Sequence, residues 1–158
     1  MIFLERYWKR LIECFCKKIK AATILPLEAN EPIDRFLFSK KLYNSRKNIV
    51  KPRAFMPPNN RKEVSVFRTG GLDESQIWEL ANKTILSAQS QKRTLHGRAE
   101  ITPLIVNNVG LNLVSDDKPR RHANIVGWPS EKDEQKMYAT ELASKSTLKL
   151  KCTDSDHI

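Results

Sequence analysis

Cysteine is scarce in this chain, with three residues among 158, at Cys14, Cys16 and Cys152. Cys14 and Cys16 stand too close to bridge each other comfortably, the three form no zinc spacing, and an odd count argues against a secreted disulfide framework. A reducing compartment, the cytoplasm, is the expected location. Glycine is nearly as sparse, and no GxGxxG, Walker A, GxSxG, HExxH or CxxC pattern occurs. Nucleotide-cofactor redox chemistry and zinc hydrolysis therefore have no motif to carry them, and no cofactor or metal is expected. No apolar run reaches the roughly 18 residues a membrane span needs. Internal repeats and low-complexity tracts are absent as well.

Acidic residues are missing from one whole segment. Residues 40–62 hold eight Lys/Arg and no Asp or Glu, for a charge of +8, against +10 for the entire chain. Residues 1–22 contribute a further +4, so the remainder nets −2. Excess charge gathered into two segments suggests a polyanion or an anionic surface as partner; the plainer alternative is a solvated loop and tail.

Within residues 2–22, Leu4, Trp8, Leu11, Phe15 and Ile19 recur at three- or four-residue steps, which predicts a basic amphipathic helix. Such a helix suits an anionic membrane surface, a protein partner, or the protein's own core. Lys9, Arg10 and Glu13 interrupt any apolar stretch a secretory signal would need. Pro26 marks a linker. Residues 1–27 are thus read as helix and linker, 28–151 as a single domain, and 152–158 as a polar tail.

Inside that domain, Asn30 and Pro32 suggest a helix start, with Ile33, Phe36 and Leu37 as its apolar face and an end near Leu42. The Lys40–Lys62 stretch, with Pro52, Pro57 and Pro58, reads as an extended surface loop. Val64–Arg68 alternates as a strand does. Gly70-Gly71 turns the chain, and Asp73 with Gln76 forms a capping box for a helix whose stripe is Ile77, Leu80, Ala81, Ile85 and Ala88. Arg93–Ile101 is a second strand in which Gly97 marks a bulge or close approach. Thr102-Pro103 opens a short helix that Gly110 ends. Leu111–Val114 and Ala123–Val126 are strands joined through Asp116-Asp117. Ser130 is expected to cap a last helix with Tyr138, Ala139, Leu142 and Ala143 on its inner face, and Thr147–Lys151 is a final strand. The order predicts an α+β domain, a small mixed sheet with helices mainly on one face.

The densest chemistry lies in Pro119–Pro129. Arg120 and Arg121 could hold phosphate bidentately, and His122 could transfer protons near neutral pH. His96 and Arg98 repeat the pairing on another strand. Should these strands meet, His96 and His122 would serve as acid and base in metal-independent RNA cleavage, with Arg98, Arg120 and Arg121 on the phosphate. The structural alternative makes His122 a strand-edge residue bonded to backbone and His96 a turn residue. Lys40, Lys41, Arg46, Lys47, Lys51 and Arg53, interleaved with Tyr43 and Phe55, could neutralise phosphates and stack bases of RNA or another single-stranded nucleic acid. A competing reading is a non-catalytic docking module that uses residues 2–22 and the turn at Trp128.

Val64–Arg68, Arg93–Ala99 and Arg121–Pro129, in this order, resemble the signature of a group of small uncharacterised bacterial proteins. The likeness spans about residues 28–151. It implies a bacterial, cytoplasmic, single-domain protein and carries no activity, cofactor or substrate with it.

Overall fold

The computed structural model describes residues 27–87 and 93–152. The expected N-terminal helix, most of the tail and Ala88 lie outside the described residues. Among the described residues, eight strands and three α-helices occur in the order β1 (Ile33–Leu37), β2 (Tyr43–Asn44), β3 (Ile49–Val50), β4 (Val64–Arg68), α1 (Glu74–Ser87), β5 (Gly97–Ile101), α2 (Pro103–Asn108), β6 (Asn112–Ser115), β7 (His122–Val126), α3 (Lys132–Lys145) and β8 (Thr147–Leu150). Six strands form one sheet in the order β6-β7-β4-β1-β5-β8, while β2 and β3 make a separate hairpin. The class is α+β as expected, and every pairing among the described residues is antiparallel.

Alternation along the strands divides the core in two. Ile33, Leu37, Val64, Val66, Ala99, Ile101, Ala123 and Ile125 face α2 and α3, where Val106, Ala139, Leu142 and Ala143 meet them. Phe36 and Phe67 face the other way, towards Ile77 and Ala81 of α1 and towards Leu95. Two helices thus cover one face and the third lies on the opposite one.

Two expectations fail on β1 and on the basic segment. Residues 33–37 form a strand, not a helix, paired with both β4 and β5. The spacing of Ile33, Phe36 and Leu37 imitates a helical stripe because a central strand buries both faces and so loses its polar alternation. The basic stretch is not simply a loop either. It contains 3-10 turns at Lys40–Leu42 and Pro52–Ala54 on either side of the β2–β3 hairpin. Val50, Ala54 and Phe55 are buried in the main core, and the Pro52–Ala54 turn packs on α3. Arg35 ties this segment to the sheet: its Nε donates to the Ala54 carbonyl at 3.1 Å and its Nη1 to the Ser65 carbonyl at 2.9 Å.

Of the local signals elsewhere, three act as read and one does not. The Gln76 amide donates to Asp73 Oδ1 at 2.8 Å, and the Asp73 amide to Gln76 Oε1 at 3.0 Å, completing the capping box. Thr102 caps α2. Gly110, at φ 93°, ends it with the paired hydrogen bonds Gly110 N to Asn107 O and Leu111 N to Val106 O. Ser130 does not cap α3. The cap position falls on Glu131, whose side chain makes no capping bond, and Ser130 Oγ accepts from Lys62 Nζ instead.

Gly97 is a close-approach point. A Cβ there would lie 2.7 Å from the Lys149 carbonyl oxygen, on the backbone of the paired strand β8. Gly97→Ala should therefore push β8 away and cost about 1–3 kcal/mol, as overpacking does. Urea unfolding of the variant checks this; an unchanged midpoint would mean that β8 yields freely.

Candidate functional site

Register decides which polar side chains meet. β7 pairs with β4 as Phe67↔His122 and Ser65↔Asn124, and with β6 as Val114↔Asn124 and Ser115↔Ala123. Directly opposed residues share a face of the sheet. One row across three strands is therefore Val114, Asn124, Ser65. The next row is Asp116, His122, Phe67, with Asp116 placed one residue beyond the last β6–β7 pair.

On this grid the His122 ring bridges two side chains. Its Nδ1 lies 2.6 Å from Asp116 Oδ1, and its Nε2 lies 2.6 Å from Ser65 Oγ. An ionised carboxylate only accepts, so Nδ1 carries a hydrogen; in the neutral ring Nε2 then accepts from the Ser65 hydroxyl. The Phe67 ring meets the imidazole edge-on, with centroids 5.3 Å apart, which fixes its tilt. Burial works to raise the Asp116 carboxyl, yet hydrogen bonds from His122 and from the Lys118 amide prevail and hold it below the usual carboxylate range. His122 is therefore bonded to side chains and partly exposed, not a strand-edge residue satisfied by backbone.

The turn that delivers Asp116 is held by its own sequence. Arg121 sits at φ 69°, a conformation uncommon for a residue with a Cβ. Its amide donates to Asp117 Oδ1, and its guanidinium donates to the carbonyls of Arg68 and Gly70 at 3.2 and 3.1 Å. Arg121 thus clamps the β6–β7 turn to the end of β4. Arg120 is exposed; together they border an open hollow with Leu72, Gln76, Leu80 and Lys83.

The two histidines are not brought together. His96 precedes β5, with β4 and β1 standing between it and β7. Three strand spacings amount to about 14 Å. His96 lies instead beside Tyr43, with ring centroids 6.2 Å apart. Arg98 is equally far from a phosphate role. Only 1% of its side chain is exposed, and Nη1 reaches both Asp34 oxygens at 2.8 Å and Glu100 Oε2 at 2.9 Å, while Nη2 reaches Glu74 Oε2 at 2.7 Å. Trp78 stacks near its guanidinium, 5.6 Å from carbon to ring centroid. Burial opposes the Arg98 charge, but these carboxylates outweigh it and keep the guanidinium protonated. Arg98 is a structural cation.

Lys40, Lys41, Arg46, Lys47, Lys51 and Arg53 are all exposed. None of the six meets an acidic side chain among the described residues. Phe55, expected as a base-stacking ring, is fully enclosed in the core; Tyr43 is half-buried. Trp128, proposed as part of a docking turn, is 5% exposed and donates from its indole to the Ile125 carbonyl at 2.9 Å, so it offers no surface to a partner.

Sequence reasoning missed Ser65 and Asp116. Ser65 stands 57 positions before His122, and only the β4–β7 register joins them. The one hint was a lone hydroxyl in an otherwise apolar run, Val64-Ser65-Val66-Phe67. Among the described residues no group of three or more potential ligands could hold a metal ion, and no helix is long and apolar enough to cross a membrane. Compared with models of protein families, with characterised proteins and with solved structures, the chain matches none.

Proposed function

We propose that the protein binds single-stranded nucleic acid, RNA being the first candidate, through the basic segment 40–62. One observation carries this reading: six exposed cations, with no acidic partner among the described residues, stand on a segment whose apolar residues Val50, Ala54 and Phe55 fix it to the core. A polyanion site profits from such anchoring, because the backbone that carries the charges is held before the ligand arrives and less ordering entropy is lost on binding. Tyr43, on the same segment, and His96 next to it add two rings, and base stacking tolerates any sequence. Cleavage by a His96–His122 pair does not belong to this reading, since His96 precedes β5 and His122 lies on β7, with β1 and β4 between those strands. The docking alternative now rests on residues 2–22 alone, Trp128 being enclosed.

Each phosphate neutralised on a single strand contributes about −0.7 to the log–log salt dependence of binding. Three to five contacts from this segment give a slope of roughly −2 to −3.5. Replacing Lys47, Lys51 and Arg53 together by Ala should flatten it by about two units. The melting temperature should hardly move, because exposed side chains usually contribute within about ±0.5 kcal/mol each. Fluorescence anisotropy with a labelled oligoribonucleotide at several salt concentrations measures the slope. A variant with parental affinity and slope would remove the nucleic-acid reading.

A further inference from the structure

We propose that Ser65, His122 and Asp116 form a second, separate site, a hydrolytic relay acting on small carboxylic esters, with the Asn124 amide as donor to the developing oxyanion. The proposal is independent of nucleic-acid binding and shares none of the residues assigned to it.

Three groups in the right order of roles are joined by two short hydrogen bonds, both 2.6 Å. A serine hydroxyl is a weak nucleophile until a base within hydrogen-bond reach takes its proton, and that base works best when a third group holds its tautomer. His122 Nε2 supplies the base, and Asp116, kept ionised by its hydrogen bonds, supplies the orienting acceptor. The contact is not a by-product of chain proximity: it joins β4 to the β6–β7 turn and is set by the sheet register. Phe67 braces the ring on its remaining side.

Around Ser65 the same grid supplies the rest of a site. Asn124 lies directly opposite Ser65, which places their Cβ atoms about 4.5–5.5 Å apart. Its side-chain amide makes no hydrogen bond among the described residues, although Asn124 is half-buried. An amide N–H beside the nucleophile is the group that stabilises a tetrahedral oxyanion. Val114, next in the row and 52% exposed, offers an apolar bed for an acyl chain. An apolar bed of this size suits short, unhindered esters with good leaving groups.

The chemistry closes without a further reagent. Ser65 Oγ forms a bond to the ester carbonyl carbon as its proton passes to His122 Nε2. The carbon–oxygen bond to the alcohol then breaks, and the departing oxygen takes that proton from the imidazolium. Water attacks the acyl-serine, giving its proton to Nε2. Collapse releases the carboxylic acid and returns the proton to Ser65.

The test uses the full chain with an alkyl fluorophosphonate and with 4-nitrophenyl acetate. Mass spectrometry should find one phosphonyl adduct on the peptide carrying Ser65. Ser65→Ala should abolish it, and His122→Gln should lower both labelling and acetate hydrolysis by at least 100-fold. Asn124→Ala should slow hydrolysis about 100-fold while leaving fluorophosphonate labelling of Ser65 detectable. If the folded parent shows no adduct on Ser65, the three side chains are only a clasp between β4 and the β6–β7 turn, and the proposal is overturned whatever the variants do. Parental acetate hydrolysis in a folded Ser65→Ala protein would overturn it equally.

Discussion

Arg98→Met should lower the stability of the domain by about 3–5 kcal/mol, the usual consequence of removing one partner from a buried ion pair. For a domain of this size that corresponds to a fall in Tm of roughly 10–25 °C. The reason lies in the β1–β5 register, which sets Asp34 directly opposite Glu100. Two carboxylates facing each other across a strand pair repel. Arg98 Nη1 lies between them, and Asp34 is wholly enclosed. Without the guanidinium, among the described residues Asp34 keeps only the Thr69 hydroxyl at 2.7 Å, and Glu100 keeps only Lys149 Nζ at 2.9 Å. The link from the sheet to Glu74 at the start of α1 is lost too. A second substitution separates charge from shape: Asp34→Leu added to Arg98→Met should recover at least half of the loss, because no unpaired carboxylate is then buried. Differential scanning calorimetry of the parent, single and double variants measures both. A single variant melting with the parent would mean that solvent reaches Asp34 freely.

Phe55→Ala should cost a similar amount, about 3–5 kcal/mol, as truncation of an enclosed aromatic does. Phe55 has no exposed surface, belongs to the main core, and follows the Pro52–Ala54 turn that packs on α3. This variant and the Lys47/Lys51/Arg53 triple variant lie within a few residues of one another yet should have opposite signatures. The first loses stability and, below its Tm, keeps the salt slope of nucleic-acid binding. The second keeps stability and loses slope. Thermal melts and anisotropy on the same samples compare them, and a Phe55→Ala protein with parental Tm would return the segment to the status of a loose loop.

What the sequence disclosed followed from how local each signal was. The capping box at Asp73 and Gln76, the Thr102 cap and the glycine at 110 each depend on neighbours within four residues, and each could be read directly. Gly97 was flagged because a glycine inside a strand has few other uses. β1 was misread because central strands bury both faces, and Ile33, Phe36 and Leu37 then carry no period of two. The basic segment was misread because prolines suppress helix but do not forbid docking by short 3-10 turns. The candidate site was half legible. His122 stood out by residue type, whereas Ser65 and Asp116 are ordinary in sequence and gain meaning only from strand register. Arg98 drew attention as a cation beside a histidine, while its true partners, Asp34, Glu74 and Glu100, are distributed over three elements.

The strand order β6-β7-β4-β1-β5-β8 also bears on how the chain assembles as it is synthesised. The first of the described strands to be made, β1, lies inside the finished sheet. β4 and then β5 add to its two sides, the β6–β7 hairpin extends the β4 side, and β8 closes on β5. No strand has to be inserted between two that are already paired. The sheet can therefore grow outward during translation without reopening a completed ladder. The same order has a cost. Until residues 122–126 and 147–150 emerge, the nascent sheet presents the unpaired sides of β4 and β5, and unpaired strand edges are where partly made chains associate.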